Sequence, residues 1–317
     1  MSSQSNINGR AFEFACLISL EESIKKFRPI TVERNKNYFY DKDVWDSVPA
    51  ALRDTMLKSA NAAVNTLFDC EPLIIEKSEE PLALRFLSDS SGELGDVRDI
   101  VISNESSRWK IGLSIKHNHF AVKHSRLAKN LDFGKQWYGI KCSNEYWNDI
   151  NPIFSFLDGE KSAKTKWRDI SDKEGRVYVP LLRAFISEVK RQYDSDKTIP
   201  KKMTEYLLGK YDFYKVVSAD NKRMTEIIAF NLRGTLNRSS KFESPKIEIP
   251  TASLPTRIVR LDFKPESKTT VELYMDKGWQ FSFRIHSAST YVEPSLKFDV
   301  QIIGMPTEII TVNSIWR

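Results

Sequence analysis

Residues 112–119 read GLSIKHNH, and with the three residues before them they form WKIGLSIKHNH. Ile111, Leu113 and Ile115 alternate with Gly112, Ser114 and Lys116. That is the period of a β-strand whose two faces meet different surroundings. One face is aliphatic. The other carries Gly112, Ser114, Lys116 and Asn118, and the chain then runs through His117 to His119. A strand that turns polar on one side only must line something polar, and the rest of the reading follows from what that is.

Two more strands come before it, LALRFLS (82–88) and DIVIS (99–103). The NESS turn at 104–107 pairs the second of these antiparallel with 109–117, which brings Asp99 and Lys116 to one sheet edge. An acid opening one strand and a lysine on its neighbour make the skeleton of a phosphodiester-cleaving site. The carboxylate holds Mg2+, a hard cation that prefers oxygen. The ion polarises the phosphate and acidifies a bound water. The lysine orients or helps deprotonate that water and offsets developing charge. An ordinary edge salt bridge is the alternative account of the pair.

One carboxylate seldom suffices for this chemistry. The usual spacing puts a second acid two residues before the lysine, and that position here is Ser114. Glu13 is the replacement candidate. It lies in RAFEFACLISLEESIKKF (10–27), which reads as a helix, with Cys16, Leu17 and Leu20 at i+3, i+4 and i+7. A carboxylate on such a stripe is costly unless paired or metal-bound; Arg10, one turn earlier, is the other partner on offer. Asp96 and Asp99 compete for the principal metal-ligand role, because three residues apart in extended chain they face opposite sides. Asp99, directly before the apolar strand, is preferred. Asp96 follows Gly95 and could be turned inward by a bend there, and Glu93 stands close by.

The chain has 317 residues, 41% hydrophobic and 28% charged, with net charge +6. Those values fit one large or two ordinary globular domains and a phosphate-rich partner. Lys110–Lys141 is dense in lysine, arginine and histidine and contains one acid, Asp132. No apolar run approaches the ~20 residues that span a bilayer. MSSQSNINGR lacks a signal-peptide pattern, so the chain reads as a cytoplasmic protein. Cys16, Cys70 and Cys142 match no zinc spacing and read as free, buried thiols.

A second helix covers 49–68, with Ser47 as a cap ahead of Pro49. The segment 143–210 is mostly helical, and 213–230 reads as a hairpin turning at Asp220-Asn221. A polar connection (237–255) leads to strands at 256–263, 269–275, 279–287, 296–303 and 308–314. The pattern is α/β of the α+β kind: a mixed central sheet flanked by helices, with a β-rich C-terminal part. Residues 1–235 are expected to form a core with a helical insertion at about 143–210. Residues 236–317 are expected to be the β-rich, DNA-contacting part, either separate or integral to the same domain.

GDVRDIVI, GLSIKHNHFAVKHSRL, DFGKQWYGIKCSNEYW and GWQFSFRIHSASTYVEPSLKFDVQIIGMP together resemble the HaeIII family of type II restriction endonucleases, within the PD-(D/E)xK nuclease group. The likeness runs from the first helix to the final strands. It implies a restriction-endonuclease-like core and Mg2+-dependent cleavage of double-stranded DNA at a short palindrome, GGCC in the family prototype. It also implies a bacterial cytoplasmic setting with a cognate DNA methyltransferase. By position, Asp99 (or Asp96) matches the metal-binding acid and Lys116 the catalytic lysine. Ser114 stands where the second acid is lost, which keeps Glu13 in play. A palindrome favours a two-fold homodimer, although a monomer acting twice also fits a four-base site.

The DNA contacts would come from two places. Asn118, His119, Lys123, His124, Arg126 and Lys129 follow the polar strand. Arg284, His286 and Lys297 lie in the β-rich part, with Arg284 and His286 on one strand face. Lysine and arginine suit phosphates, and arginine, asparagine and histidine also read base edges. Trp137, Tyr138, Tyr146 and Trp147 read as core. Three rivals remain: an HNH-type nuclease suggested by His117-Asn118-His119, a transition-metal site on His117 and His119, and a sequence-specific DNA-binding protein without cleavage, which the loss of an acid at Ser114 would favour.

Overall fold

Alternation of aliphatic and polar residues over 109–117 builds the centre of the first of two sheets. The computed structural model describes residues 4–87, 95–118 and 125–316. The chain divides into two units, Met1–Phe120 with Gly209–Ser253 and Thr307–Arg317, and Ala121–Leu208 with Leu254–Pro306.

The first unit holds a seven-stranded mixed sheet. Its strands are β1 (Ile30–Val32), β2 (Leu82–Phe86), β3 (Ile100–Asn104), β4 (Trp109–His117), β6 (Phe213–Ala219), β7 (Met224–Phe230) and β12 (Thr311–Ile315), in the order β1-β2-β3-β4-β6-β7-β12. β3 and β4 are antiparallel, with Ile100 opposite Leu113 and Asn104 opposite Trp109. β4 and β6 run parallel, which places Lys215 beside Ser114. Ile100, Ile102, Ile111, Leu113, Ile115, Tyr214 and Val216 form one apolar face. That face joins one core with α1 (Gln4–Ile24) and α3 (Ala50–Cys70). α1 buries residues nearly all round, Phe12 and Phe14 among them, because it packs against α2 (Lys36–Ser47), α3 and β4. Its all-round apolar first half anticipated this.

α2 was not anticipated. It is capped by Asn35, whose side chain accepts from the Tyr38 N–H at 3.0 Å. The cap expected at Ser47 is a correction: Ser47 is the last residue of α2, its hydroxyl donates to the Val44 carbonyl, and Pro49 holds the N-cap position of α3 without a side-chain bond.

The second unit holds a five-stranded antiparallel sheet ordered β5-β11-β10-β9-β8. Its strands are β5 (Arg126–Ala128), β8 (Ile258–Phe263), β9 (Thr270–Met275), β10 (Gln280–His286) and β11 (Ser295–Gly304). Its helices are α5 (Phe133–Tyr138), α6 (Asn144–Ser162), α7 (Val179–Ser195) and α8 (Ile199–Leu208). A short α4 (Pro72–Ile75) belongs to the first unit. The core is aromatic: Phe133, Trp137, Phe185, Phe283 and Phe298 are buried and in ring contact. Trp137, Tyr138 and Tyr146 are buried as expected, and Trp147 is half-buried. The strands expected in 256–303 are all present, but the last strand, expected at 308–314, returns to the first sheet beside β7. All three cysteines are free and buried. Among the described residues no helix is long and apolar enough to cross a membrane.

Candidate active site

Asp99 stands one residue before β3. Its backbone N–H donates to the Leu113 carbonyl at 2.7 Å, and its carbonyl accepts from Leu87 at 2.9 Å. The side chain is therefore carried by ladder bonds on both sides. Its Oδ2 accepts the Ile115 N–H at 2.6 Å and the Lys116 Nζ at 3.1 Å. Oδ1 takes no hydrogen bond among the described residues and remains available to a ligand. The antiparallel hairpin thus places Asp99 and Lys116 as the spacing predicted.

Glu13 joins them from α1. Burial is the main reason its carboxyl is held well above the usual carboxylate range, and the charge of Asp99 adds to it; Lys116 and Arg10 pull the other way. Arg10 approaches Glu13 at 3.5 Å and also Asp41 at 3.7 Å. Of the alternatives left open for Glu13, the pairing with Arg10 is present, and Glu13 also feels the charges of Asp99 and Lys116. For Lys116 burial opposes the charge, but Asp99 and Glu13 outweigh it and hold the ammonium above its usual pKa. At neutral pH Lys116 is a cation.

Asp96 has another partner. Arg98 donates to it through Nε and Nη2, both at 2.7 Å, and through its backbone N–H at 3.3 Å. The buried Arg98 side chain lies across Gly112, where a Cβ would come within 1.9 Å of Arg98 Cδ. Gly112 is thus required by the crossing of Arg98 over the polar face of β4. Glu93, His119, Lys123 and His124 lie outside the described residues.

Ser114 is buried in mid-strand. The residue that sequence reasoning missed is its neighbour on β6, Lys215. It is buried, and its ammonium is pushed down to about 7, first by burial and then by the charge of Lys116. A lysine inside FYKVVSA was the available signal, hidden in what reads as an apolar strand.

The histidine letters have a structural use. His117 points to the opposite face from Lys116, packs 5.9 Å from the Phe12 ring and bonds Asp220 through Nε2 at 2.8 Å. Asn118 adopts a positive φ of 53°, and its Oδ1 accepts the Asp220 N–H at 3.0 Å. Together they tie the end of β4 to the β6–β7 turn.

In the second unit the register gathers four residues singled out as DNA contacts. Arg126 of β5 stands opposite Lys297 of β11, and Lys297 opposite His286 of β10. Arg284 is two residues along the same face, exposed and 3.8 Å from Asp299. Arg126 bonds Ser295 at 3.2 Å, and burial with the charge of Arg126 lowers the Lys297 pKa. The other side of these strands, Leu127, Phe283, Ile285 and Phe298, is buried. Charge on one face and core on the other is the alternation of a sheet with one side turned to solvent.

Two carboxylates beside a lysine suit a hard divalent cation. The upward shift of Glu13 comes first from burial and then from Asp99, and a cation between the two acids would favour their charged forms. Among the described residues no group of three or more His, Cys, Asp or Glu side chains is arranged to hold a metal. Mg2+ is commonly held by one or two carboxylates with water and substrate phosphate completing its shell, so the donor set fits.

The family model of the HaeIII restriction endonuclease matches residues 9–306. The type II restriction enzyme HaeIII of Haemophilus aegyptius is 50% identical over 318 residues, covering 100% of each chain. No solved structure matches. With a match that takes in Glu13, Asp99, Lys116 and both sheets, the chain belongs to the HaeIII restriction endonuclease family.

Proposed function

We propose that this protein is a type II restriction endonuclease that hydrolyses one phosphodiester per strand of double-stranded DNA, with Mg2+, at GGCC. Family membership supports the activity, and GGCC is what the resemblance to the family implies. The observation that carries the site is the Asp99–Lys116 bond beside Glu13. Type II restriction endonucleases generally use a divalent metal.

In this reading Asp99 and Glu13 would hold the ion, which would supply Lewis acidity and a water of lowered pKa. Asp96, with both oxygens on Arg98, acts through the β4 face and not as a ligand. Lys116, held as a cation, donates hydrogen bonds to a phosphate oxygen or the attacking water and offsets charge as it develops. Its raised pKa makes it a poor base at neutral pH. Ser114 leaves room beside Lys116 where an acid would compete for that ammonium. Arg126, Arg284, His286 and Lys297 contact the duplex from the second sheet, and Asn118, bonded to the Asp220 N–H, contacts it at the end of β4. The enzyme works in the bacterial cytoplasm as a homodimer on its palindrome, paired with a methyltransferase that protects host sites.

Incubating the purified protein with plasmid, Mg2+ or EDTA, and mapping the ends, tests this. Fragments ending at GGCC only with Mg2+ are expected. A gel shift with no cutting in any divalent metal would favour the non-cleaving DNA-binding protein.

A further inference from the structure

Six residues along β4 from Lys116, about 20 Å at 3.3 Å per residue, Lys110 opens on a cavity of about 160 Å³. Its lining is rich in cations: Arg98, Arg108, Lys110, Arg233 and Arg238, around the ring of Tyr211. Asp212 is the one acid among the lining residues. Its carboxylate is engaged locally, accepting the backbone N–H groups of Leu232, Arg233 and Thr235 and the Thr235 hydroxyl, and standing 3.7 Å from Arg233. These bonds fix the loop that brings Arg233 to the rim.

The floor is equally fixed. Arg98 is buried, its Cζ is 4.0 Å from the Tyr211 ring, and Asp96 takes its Nε and Nη2. Arg98 lines the cavity, and among the described residues its Nη1 makes no hydrogen bond. Lys110 approaches the other contact of that ring at 5.2 Å. Arg108 and Lys110 have no ion pair with a carboxylate among the described residues, and Arg238 bonds Glu71 through its backbone and feels its charge. Five cations against three acids, one of the cations a buried guanidinium, and a concave surface form a site that an oxyanion would neutralise.

We propose that this cavity is a second phosphate-binding site, separate from the cleavage centre. At 3.4 Å per base pair, about 20 Å is six base pairs, so a duplex running along β4 from the cleavage centre would bring a phosphate outside a four-base recognition site to Lys110. The ligand is a phosphate oxyanion from one of two sources: a flanking phosphodiester, which rests on the DNA-cutting reading, or free inorganic phosphate, which does not.

The test uses the full chain and the double variant Arg108→Ala/Arg238→Ala, both exposed positions, with Arg108→Lys/Arg238→Lys as the charge-keeping control. One arm follows thermal unfolding with inorganic phosphate at constant ionic strength. The other measures affinity for GGCC duplexes of about 10 and about 30 base pairs across a salt series in EDTA. A phosphate-induced rise in Tm in wild type that the alanine pair abolishes and the lysine pair keeps assigns the site to free phosphate. A salt slope shallower by about one to two in the alanine variant, on the long duplex alone, assigns it to flanking DNA. Unchanged behaviour in both arms overturns the proposal. A wild type that responds to phosphate but neither binds nor cuts duplex leaves the site standing and defeats the DNA-cutting reading.

Discussion

Lys116 Nζ lies 3.1 Å from Asp99 Oδ2, across the antiparallel strands that the 105–108 turn connects. The same oxygen accepts the Ile115 N–H, so the strand that carries the lysine also holds its partner. Lys116→Ala removes a cation needed most as charge develops on the phosphate. Cleavage should fall by about 10²–10³ or more, while affinity for a GGCC duplex changes only a few-fold. Plasmid cleavage read beside a gel shift checks this, and cutting at the wild-type rate would remove Lys116 from the reaction.

Glu13 sets a pH dependence. Its carboxyl is held above the usual range, so protons compete with a cation for it at higher pH than for an ordinary carboxylate. The Mg2+ concentration giving half-maximal cutting should therefore fall as pH rises. In Glu13→Gln that dependence should vanish and the requirement should rise. A pH-independent requirement in wild type would take Glu13 out of the metal shell.

Glu71 makes an opposite kind of pH statement, about stability. It is buried at the end of α3, where its Oε1 accepts from Tyr214 at 2.7 Å and from the Asn237 N–H at 2.6 Å. Burial raises its pKa from 4.5 to about 7. Between those values the folded state holds a proton the unfolded chain has lost. The stability this contributes is full below 4.5 and is lost as pH rises through about 7. Glu71→Gln cannot titrate. Its stability relative to wild type should rise by about 1–3 kcal/mol from pH 5 to pH 8, as followed by urea unfolding at each pH.

Arg284 stands exposed beside the Arg126–Lys297–His286 row. Arg284→Ala should weaken duplex binding. A loss equal across sequences marks a phosphate contact; a loss of about 1–3 kcal/mol confined to the cognate site marks a base contact. Binding that does not change at all would remove this face from the interface.

Gly112→Ala puts a methyl where Arg98 crosses β4, at 1.9 Å from its Cδ. Arg98 must shift, and with it the bond to Asp96 and the Tyr211 stack. A loss of about 1–3 kcal/mol is expected, visible as a lower Tm; a variant as stable as wild type would mean that Arg98 has another place to go.

What could be read from the sequence is what is local. Alternation over 109–117 and the short turn before it fixed the hairpin, and with it the Asp99–Lys116 pair. α2 escaped because KNYFYDKDVWDS buries only Asp41 and Trp45 and so leaves no apolar stripe. Lys215 escaped because its position beside Ser114 depends on β6 running parallel to β4, nearly a hundred residues later in the chain. The basic row on the second sheet was half legible: alternation gave the shared face of Arg284 and His286, but not that Arg126 lies two strands away on the same side.

β12 has a kinetic consequence. Thr311 pairs with Ile228, roughly eighty positions earlier, and the chain between them makes an excursion through the second unit. Joining distant segments has an entropic penalty that grows with the logarithm of the loop. An excursion in which β8 to β11 have already collapsed presents shortened, tethered ends, and this would hasten the meeting of β7 with β12. The reverse order must close a slack loop first. Refolding from denaturant therefore runs fastest along the route on which the inserted unit leads.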